Sequence, residues 1–162
     1  MCSGSLVLLI VGLAGCGLVP QAPPPPAPSV EAATAHLDLV IDAGIARDFD
    51  RLCELASGTC EDELEGFEHI APTERPTVVD VSVHQPTQLA GGAWGGGGVL
   101  FVLCGVDGEG QPYESEVLVF DAGERLLATA SVFWIGTSVS FLGPGAAGAA
   151  VGEPDPGPAR CP

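Results

Sequence analysis

The spacing of apolar residues divides the chain into a helical half and an alternating half. From residue 30 to about residue 56, apolar side chains recur at intervals of three and four, which is typical of helices packed against a core. The pattern predicts a helix that begins after Ser29 and ends or bends at Gly44, and a second that begins after Asp48. A short acidic third helix is expected over residues 60–65, with carboxylates at its positive end.

The period changes to alternation at Thr77. Residues 77–84 predict an edge strand with valines on one face and polar side chains on the other. Residues 99–106 are apolar on both faces, as a central strand is. Glycine-containing turns follow at 107–110 and 122–124. Further strands are predicted over residues 113–121 and 125–135, with Val139 and Phe141 as an extension.

Helices followed by an antiparallel meander predict an α+β domain over residues 29–142, with two or three N-terminal helices packed on a curved sheet of about four strands. This order of elements, together with residues 52–60, resembles the cystatin-like cone fold of nuclear transport factor 2 and ketosteroid isomerase. The resemblance implies a pocket inside the cone, in which the isomerases hold an acid or base. It carries over no catalytic residue, because no residue here matches such a motif.

Residues 1–15 are predicted to be a signal peptide. They carry no charged side chain, and their apolar run is too short to span a bilayer. Leu13-Ala14-Gly15-Cys16 then resembles the lipobox of bacterial lipoproteins. The resemblance implies cleavage before Cys16 and a lipid with acyl chains such as palmitate on its sulfur. The alternative is an ordinary signal peptide with an incidental cysteine, and the segment departs from the usual signal in having no basic residue.

Two low-complexity segments flank the predicted domain. Residues 16–28 form the lipidated linker, in which six of the nine residues from 20 to 28 are proline. Such a run is extended and semi-rigid, so it would hold the domain away from the membrane. In the tail, 15 of the 20 residues from 143 to 162 are Gly, Ala or Pro, which predicts disorder. The expected location is the outer, extracytoplasmic side of a membrane.

The charge narrows the range of partners. The chain has 21 acidic residues, five arginines and no lysine, for a net charge of −16. Such a surface is repelled by nucleic acid, so no nucleic-acid partner is expected. The expected partners are a membrane, through the covalent lipid, and an envelope or extracellular protein. Without lysine there is no Schiff-base chemistry and no phosphate-loop lysine, and no cofactor is predicted.

Cysteine usage also indicates export. Apart from Cys2 in the signal and Cys16, the cysteines are even in number and predict two disulfides. Of three connectivities, the preferred one is Cys53–Cys60 with Cys104–Cys161, because Ser57-Gly58-Thr59 can interrupt the helix between the first two. Cys53–Cys104 with Cys60–Cys161 stays open as the competing pattern. No metal site is predicted, since the spacing is not CxxC and exported thiols oxidise.

Asp80, Ser82 and His84 are the most suggestive polar group, because they share one face of a predicted strand. Residues two apart on a strand are separated by about 6.7 Å, too far for a direct Ser–His–Asp relay without turned side chains. A solvated edge-strand face is the main alternative. His69 beside Glu68 and the acidic run 61–65 could bind a cation, but a solvated acidic surface is favoured.

The sequence predicts a binding protein rather than an enzyme. The first hypothesis is a non-catalytic binding or interaction module, of unknown ligand, on a lipid tether. The alternative is a cone-fold pocket for a small ligand, or an isomerase-like one, that uses Asp80 or His84. Trp94, in a glycine-rich connection over residues 85–97, is a candidate contact residue. Trp134, inside an apolar stretch, is predicted to be core.

Overall fold

The computed structural model describes residues 26–58, 60–88, 94–95, 97–139 and 160–161. The helices are α1 (Val30–Ala46), α2 (Phe49–Leu55) and α3 (Cys60–Leu64). The strands are β1 (Thr77–His84), β2 (Thr87–Gln88), β3 (Trp94–Gly95), β4 (Gly98–Val106), β5 (Pro112–Asp121) and β6 (Leu126–Ala128). Single turns of 3-10 helix lie at Glu68–Ile70 and Phe133–Ile135. This is the predicted α+β domain, with its helices preceding the sheet.

The helices begin where capping residues predict. Ser29 Oγ accepts a hydrogen bond from the Ala32 N–H at 3.1 Å, and Asp48 Oδ1 accepts one from the Arg51 N–H at 3.1 Å. Each side chain therefore satisfies one of the N–H groups that the first turn of a helix leaves without a partner. The caps fix where α1 and α2 start.

Gly44 does not end the first helix. α1 continues through it to Ala46 and stops with Arg47 in the left-handed conformation, at φ 57°. A Cβ added at Gly44 would lie 3.0 Å from Phe133 Cε1, so the glycine lets an aromatic ring approach the helix closely. The residue that looked like a helix terminator is instead a packing position.

The main sheet has four antiparallel strands, as predicted, and their order is β1-β4-β5-β6. β2 pairs with β3 in a separate two-stranded ribbon. This ribbon lies within the stretch expected to be only a loop. The central strand β4 is buried on both faces over its first seven residues. At the β6 edge, Ala56 forms a parallel bridge to Ala128, and the Ser57 N–H donates to the Ala128 carbonyl at 2.8 Å.

The core lies between the sheet and the first two helices, which pack over β5 and β6. Trp134, predicted as core, is 1% exposed and meets the edge of the Phe133 ring at a centroid distance of 5.1 Å. Phe101, Leu37 and Ile41 fill the same space. Large side chains therefore occupy the region in which a cone fold would hold a pocket.

The valine face of β1 is exposed, contrary to the simple reading of its alternation. Val81 pairs with Phe101 and Val83 with Val99, so these valines point to the side of the sheet that carries the helices. They nevertheless remain 42% and 49% exposed, whereas Ser82 and His84 are half-buried. The cause is the placement of α1 and α2 over the opposite end of the sheet.

The prediction of a strand over residues 125–135 is wrong beyond Ala128. Val132, Phe133 and Trp134 are all buried in the same core, whereas successive side chains of a strand point to opposite faces. A turn of 3-10 helix at Phe133–Ile135 carries this run into the core instead. The predicted extension is not a strand at Val139, and Phe141 lies outside the described residues.

The disulfides have the preferred pairing. Cys53 and Cys60 are joined with their Cα atoms 5.3 Å apart, and Cys104 and Cys161 with theirs 5.6 Å apart. The second bond fastens residues 160–161 to β4. The predicted signal and lipobox fall outside the described residues, and so does the predicted tail apart from residues 160–161. Within the described part of the chain, no helix has the length and apolarity needed to cross a membrane.

Candidate functional site

A cleft of about 450 Å³ opens beside β5, between α3 and the segment that follows β6. Its lining combines apolar side chains, hydroxyl groups and three carboxylates. The lining residues are Asp62, Glu63, Phe67, Glu116, Thr129, Ala130, Val132, Ile135, Thr137, Ser138 and Val139.

The cleft exists because the chain leaves β5 and then returns to it. At the point of departure, the Leu118 N–H donates to Thr129 Oγ1 at 3.1 Å, while the Thr129 N–H still donates to the Leu118 carbonyl at 2.9 Å. At the point of return, the Glu116 N–H donates to the Thr137 carbonyl at 2.7 Å. Residues 130–136 bow away from the sheet between these two points.

Trp134 fixes the two walls of the cleft relative to each other. Its indole Nε1–H donates to the Phe67 carbonyl at 3.1 Å, which ties the 3-10 turn to the loop that follows α3. Ser131, fully buried, makes a second tie by donating from Oγ to Glu63 Oε2 at 2.6 Å. The walls are therefore held by side chains anchored in the core.

The apolar part of the cleft is open to solvent. Phe67 and Ile135 are each 39% exposed, and they stand on the two walls joined by Trp134. Ala130 and Val132 are buried behind them. A ligand that covers this apolar surface gains roughly 25 cal/mol for each Å² it removes from water.

The carboxylates give the cleft a net negative charge. Glu116 is balanced, since its Oε1 lies 2.8 Å from Arg160 Nη2 and its Oε2 accepts from the Val139 N–H at 3.1 Å. Asp62 and Glu63 are exposed on α3, and among the described residues no arginine pairs with either. Two uncompensated carboxylates beside apolar surface favour a ligand that is cationic and partly apolar.

A second groove, of about 470 Å³, lies on the other side of α3. Its polar lining consists of Asp50, Glu54, Glu61 and Glu68, and Glu54 is already paired with Arg51 at 2.7 Å. This groove has no hydroxyl group in its lining, and its aromatic side chain, Phe49, is half-buried. It matches the predicted solvated acidic surface and serves as an internal comparison for the cleft.

Asp80, Ser82 and His84 lie on β1, outside the lining of both grooves. Ser82 Oγ and His84 Nε2 are 3.1 Å apart, so these two side chains do turn toward each other, closer than strand spacing alone suggested. Asp80 Oδ1 instead accepts a hydrogen bond from the Val81 N–H at 2.9 Å. The structure thus pairs Ser82 with His84, whereas the Asp80 carboxylate accepts a hydrogen bond from the backbone.

The other sequence candidates have structural partners. His69 Nε2 lies 4.0 Å from Oε1 of Glu109, which belongs to the turn that follows β4. His36 donates a hydrogen bond from Nε2 to the Leu55 carbonyl at 3.0 Å. Among the described residues, the only cluster with the spacing of metal ligands consists of Cys104, Glu114 and Cys161. Its two sulfur atoms are joined to each other in a disulfide. Trp94 lies in β3, and the contact predicted for its side chain falls outside what the structure describes.

Tyr113 is the one buried side-chain polar group among the described residues that has no hydrogen-bond partner. Its ring covers Gly105 on the neighbouring strand, where an added Cβ would lie 2.6 Å from the hydroxyl oxygen. Burial, reinforced by the nearby Asp107 carboxylate, raises the pKa of this hydroxyl far above its usual value. The phenol therefore stays protonated and is unsuited to act as a base.

The sequence did not predict the cleft. Its residues come from α3, β5 and the two ends of a bowed segment, so they form no short motif. The apolar run at 132–134 does not by itself predict a break in the sheet, because β4 is a strand with buried side chains on both faces. The partners of that break could not be read from the chain.

Comparison with known proteins does not extend this description: no family model, no curated protein and no solved structure matches the chain.

Proposed function

We propose that the chain is an exported lipoprotein, held on the outer side of a membrane by a lipid on Cys16, whose domain is a non-catalytic binding module. The observation that supports binding is the cleft beside β5, where exposed Phe67 and Ile135 stand next to the uncompensated carboxylates Asp62 and Glu63. Its lining offers hydroxyl groups and carboxylates but neither a histidine nor a cysteine to activate a nucleophile.

The ligand class follows from this chemistry. A basic segment of an envelope or extracellular protein, with an arginine or lysine next to an apolar side chain, satisfies both halves of the cleft. Its charge would lie over Asp62 and Glu63, and its apolar group over Phe67 and Ile135. The net charge of −16 adds long-range attraction, which speeds the encounter with a basic partner.

Three sequence features support the anchor. The lipobox-like Leu13-Ala14-Gly15-Cys16 follows an apolar run, and a proline-rich spacer follows it in turn. The two disulfides agree with an oxidising compartment. A lipid with two or more acyl chains gives stable membrane attachment.

The alternative of a cone-fold pocket that uses Asp80 or His84 receives no support from the described residues. Neither groove is lined by these side chains. The space between helices and sheet is filled by Trp134, Phe101 and Phe133.

The anchor is tested by Cys16→Ser in the full-length chain. We expect the unsubstituted protein to enter the detergent phase on phase separation and the variant to move to the aqueous phase, because the thiol that carries the lipid is gone. Cys2→Ser is the matched control and should leave partitioning unchanged. Equal partitioning of Cys16→Ser and the unsubstituted protein would show that Cys16 is not the anchor.

The cleft is tested with a fluorescent peptide of alternating leucine and arginine, followed by anisotropy. Asp62→Asn with Glu63→Gln should weaken binding about three- to tenfold, since each exposed ion pair contributes roughly 0.2–1 kcal/mol. Asp50→Asn with Glu61→Gln removes the same charge from the other groove and should have less than a twofold effect.

Two controls define the site further. A serine–arginine peptide should bind more weakly than the leucine–arginine peptide, and Ile135→Ser should abolish that difference. If both carboxylate pairs weaken binding equally, the peptide senses only the overall charge, and the cleft is not the site.

A further inference from the structure

Among the described residues, β1 forms an exposed edge of the four-stranded sheet. The four-stranded sheet begins at β1, so no strand lies beside its outer edge within the described residues. The other edge is different, because β6 is three residues long and the bridge from Ala56 to Ala128 covers it. An eight-residue edge of this kind offers backbone N–H and C=O groups to an additional strand.

β1 lacks most of the features that prevent an edge strand from pairing with a strand of another chain. It contains neither lysine nor proline, and it exposes valines at positions 78, 79, 81 and 83. Its one acidic side chain is Asp80, whose Oδ1 accepts a hydrogen bond from the Val81 N–H. Because a ladder N–H would be taken by the neighbouring strand, this hydrogen bond indicates that the Val81 N–H points toward the free edge.

The regular part of β1 is self-complementary. A register shift between Val78 and Asp80 leaves residues 80–84 in regular pairing with β4, and Ser82 is their midpoint. In an antiparallel pair of two such segments centred on Ser82, Val81 of one copy lies opposite Val83 of the other. Asp80 then lies opposite His84, so a carboxylate meets an imidazole at both ends and no two like charges meet.

We propose that two copies of the chain pair through β1, antiparallel and centred on Ser82, to form one continuous eight-stranded sheet. The occupant of the edge is a second copy because the segment complements its own reversed sequence in both apolar and polar positions. Val81 of each copy then contacts Val83 of the other across the junction, which lowers the exposure of both valines. The pairing requires neither the lipid nor the cleft.

The overall charge of the chain opposes this contact, so dimer formation should depend on ionic strength. Two chains of net charge −16 repel each other, but surface repulsion is screened within about 8 Å at physiological ionic strength. The dimer fraction should therefore rise with salt. Association through opposite charged patches would show the reverse dependence.

The register is tested by disulfide trapping in the full-length exported protein, with thiols blocked before non-reducing electrophoresis. Ser82→Cys should give a covalent dimer, because directly opposite residues have Cα atoms about 4.5–5.5 Å apart, within disulfide range. Asp80→Cys alone should not, since two copies of residue 80 would lie about 13 Å apart along the strands. Asp80→Cys co-expressed with His84→Cys should restore the dimer.

The controls separate this contact from other thiol chemistry. The unsubstituted chain reports any dimer formed through Cys2 or Cys16, and Gln111→Cys, exposed in the turn between β4 and β5, reports random collision. Light scattering of detergent-extracted protein gives a measurement without added thiols, in which Val83→Lys should convert dimer to monomer. A Ser82→Cys yield no higher than that of Gln111→Cys, or self-trapping of Asp80→Cys, overturns the proposal.

Discussion

Replacing Trp134 by alanine is expected to lower the free energy of unfolding by about 3–5 kcal/mol, a large share of the roughly 5–15 kcal/mol available to a domain. The side chain is 1% exposed and packs edge-on against Phe133. Its loss also deprives the Phe67 carbonyl of the indole donor. Urea unfolding followed by circular dichroism measures the change.

Two variants sharpen this experiment. Ile135→Ala removes an exposed side chain from the same 3-10 turn and should cost less than about 1 kcal/mol, because the isoleucine is 39% exposed. Trp134→Phe keeps a ring in the core but removes the donor, and its effect should lie between those of the other two. A Trp134→Ala midpoint equal to that of Ile135→Ala would contradict the anchoring role assigned to Trp134.

Local signals predicted the elements whose ends are set by their own side chains. The caps at Ser29 and Asp48 act within one helical turn, so the starts of α1 and α2 could be read directly. The alternation of β1 and the apolar run of β4 likewise predicted strands at the right places. The short disulfide was preferred because the break between Cys53 and Cys60 is visible in the sequence.

Predictions failed where distant contacts decide the outcome. Gly44 lies inside a helix, and the ring of Phe133, 89 positions later, occupies the space that a side chain would fill. The strand after Ala128 ends because Trp134 and Ser131 find partners near α3, at Phe67 and Glu63. The same contacts create the cleft, so the candidate site was hidden for the same reason as the break in the sheet.

The alternation of apolar and polar residues in one strand also does not show how much of the sheet the helices cover. The valines of β1 alternate as a buried face would, yet α1 and α2 cover the β5 and β6 side of the sheet. The exposure of Val81 and Val83 therefore results from the placement of the helices. These exposed valines favour the proposed pairing of β1 with a second copy.

Removing the disulfide between Cys104 and Cys161 should have the second large effect, on stability and on the cleft together. The bond closes a loop with a sequence separation of 57, and loop entropy assigns it about 4 kcal/mol, against about 2.5 kcal/mol for the separation of 7 at Cys53–Cys60. Cys104→Ala with Cys161→Ala should therefore lower the urea midpoint more than Cys53→Ala with Cys60→Ala does.

The same substitution should strengthen binding of a cationic peptide. Arg160, next to Cys161, balances Glu116 in the cleft wall through an ion pair of 2.8 Å. Without the disulfide, only its exposed contacts with Glu114 and Glu116 hold the arginine there, so the ion pair with Glu116 should be less populated. Arg160→Gln separates the two effects, because it frees the Glu116 carboxylate while keeping the bond. We expect it to tighten binding of the leucine–arginine peptide about two- to fivefold, the range of one exposed ion pair, with little loss of stability. Unchanged affinity in both variants would mean that Glu116 does not face the ligand.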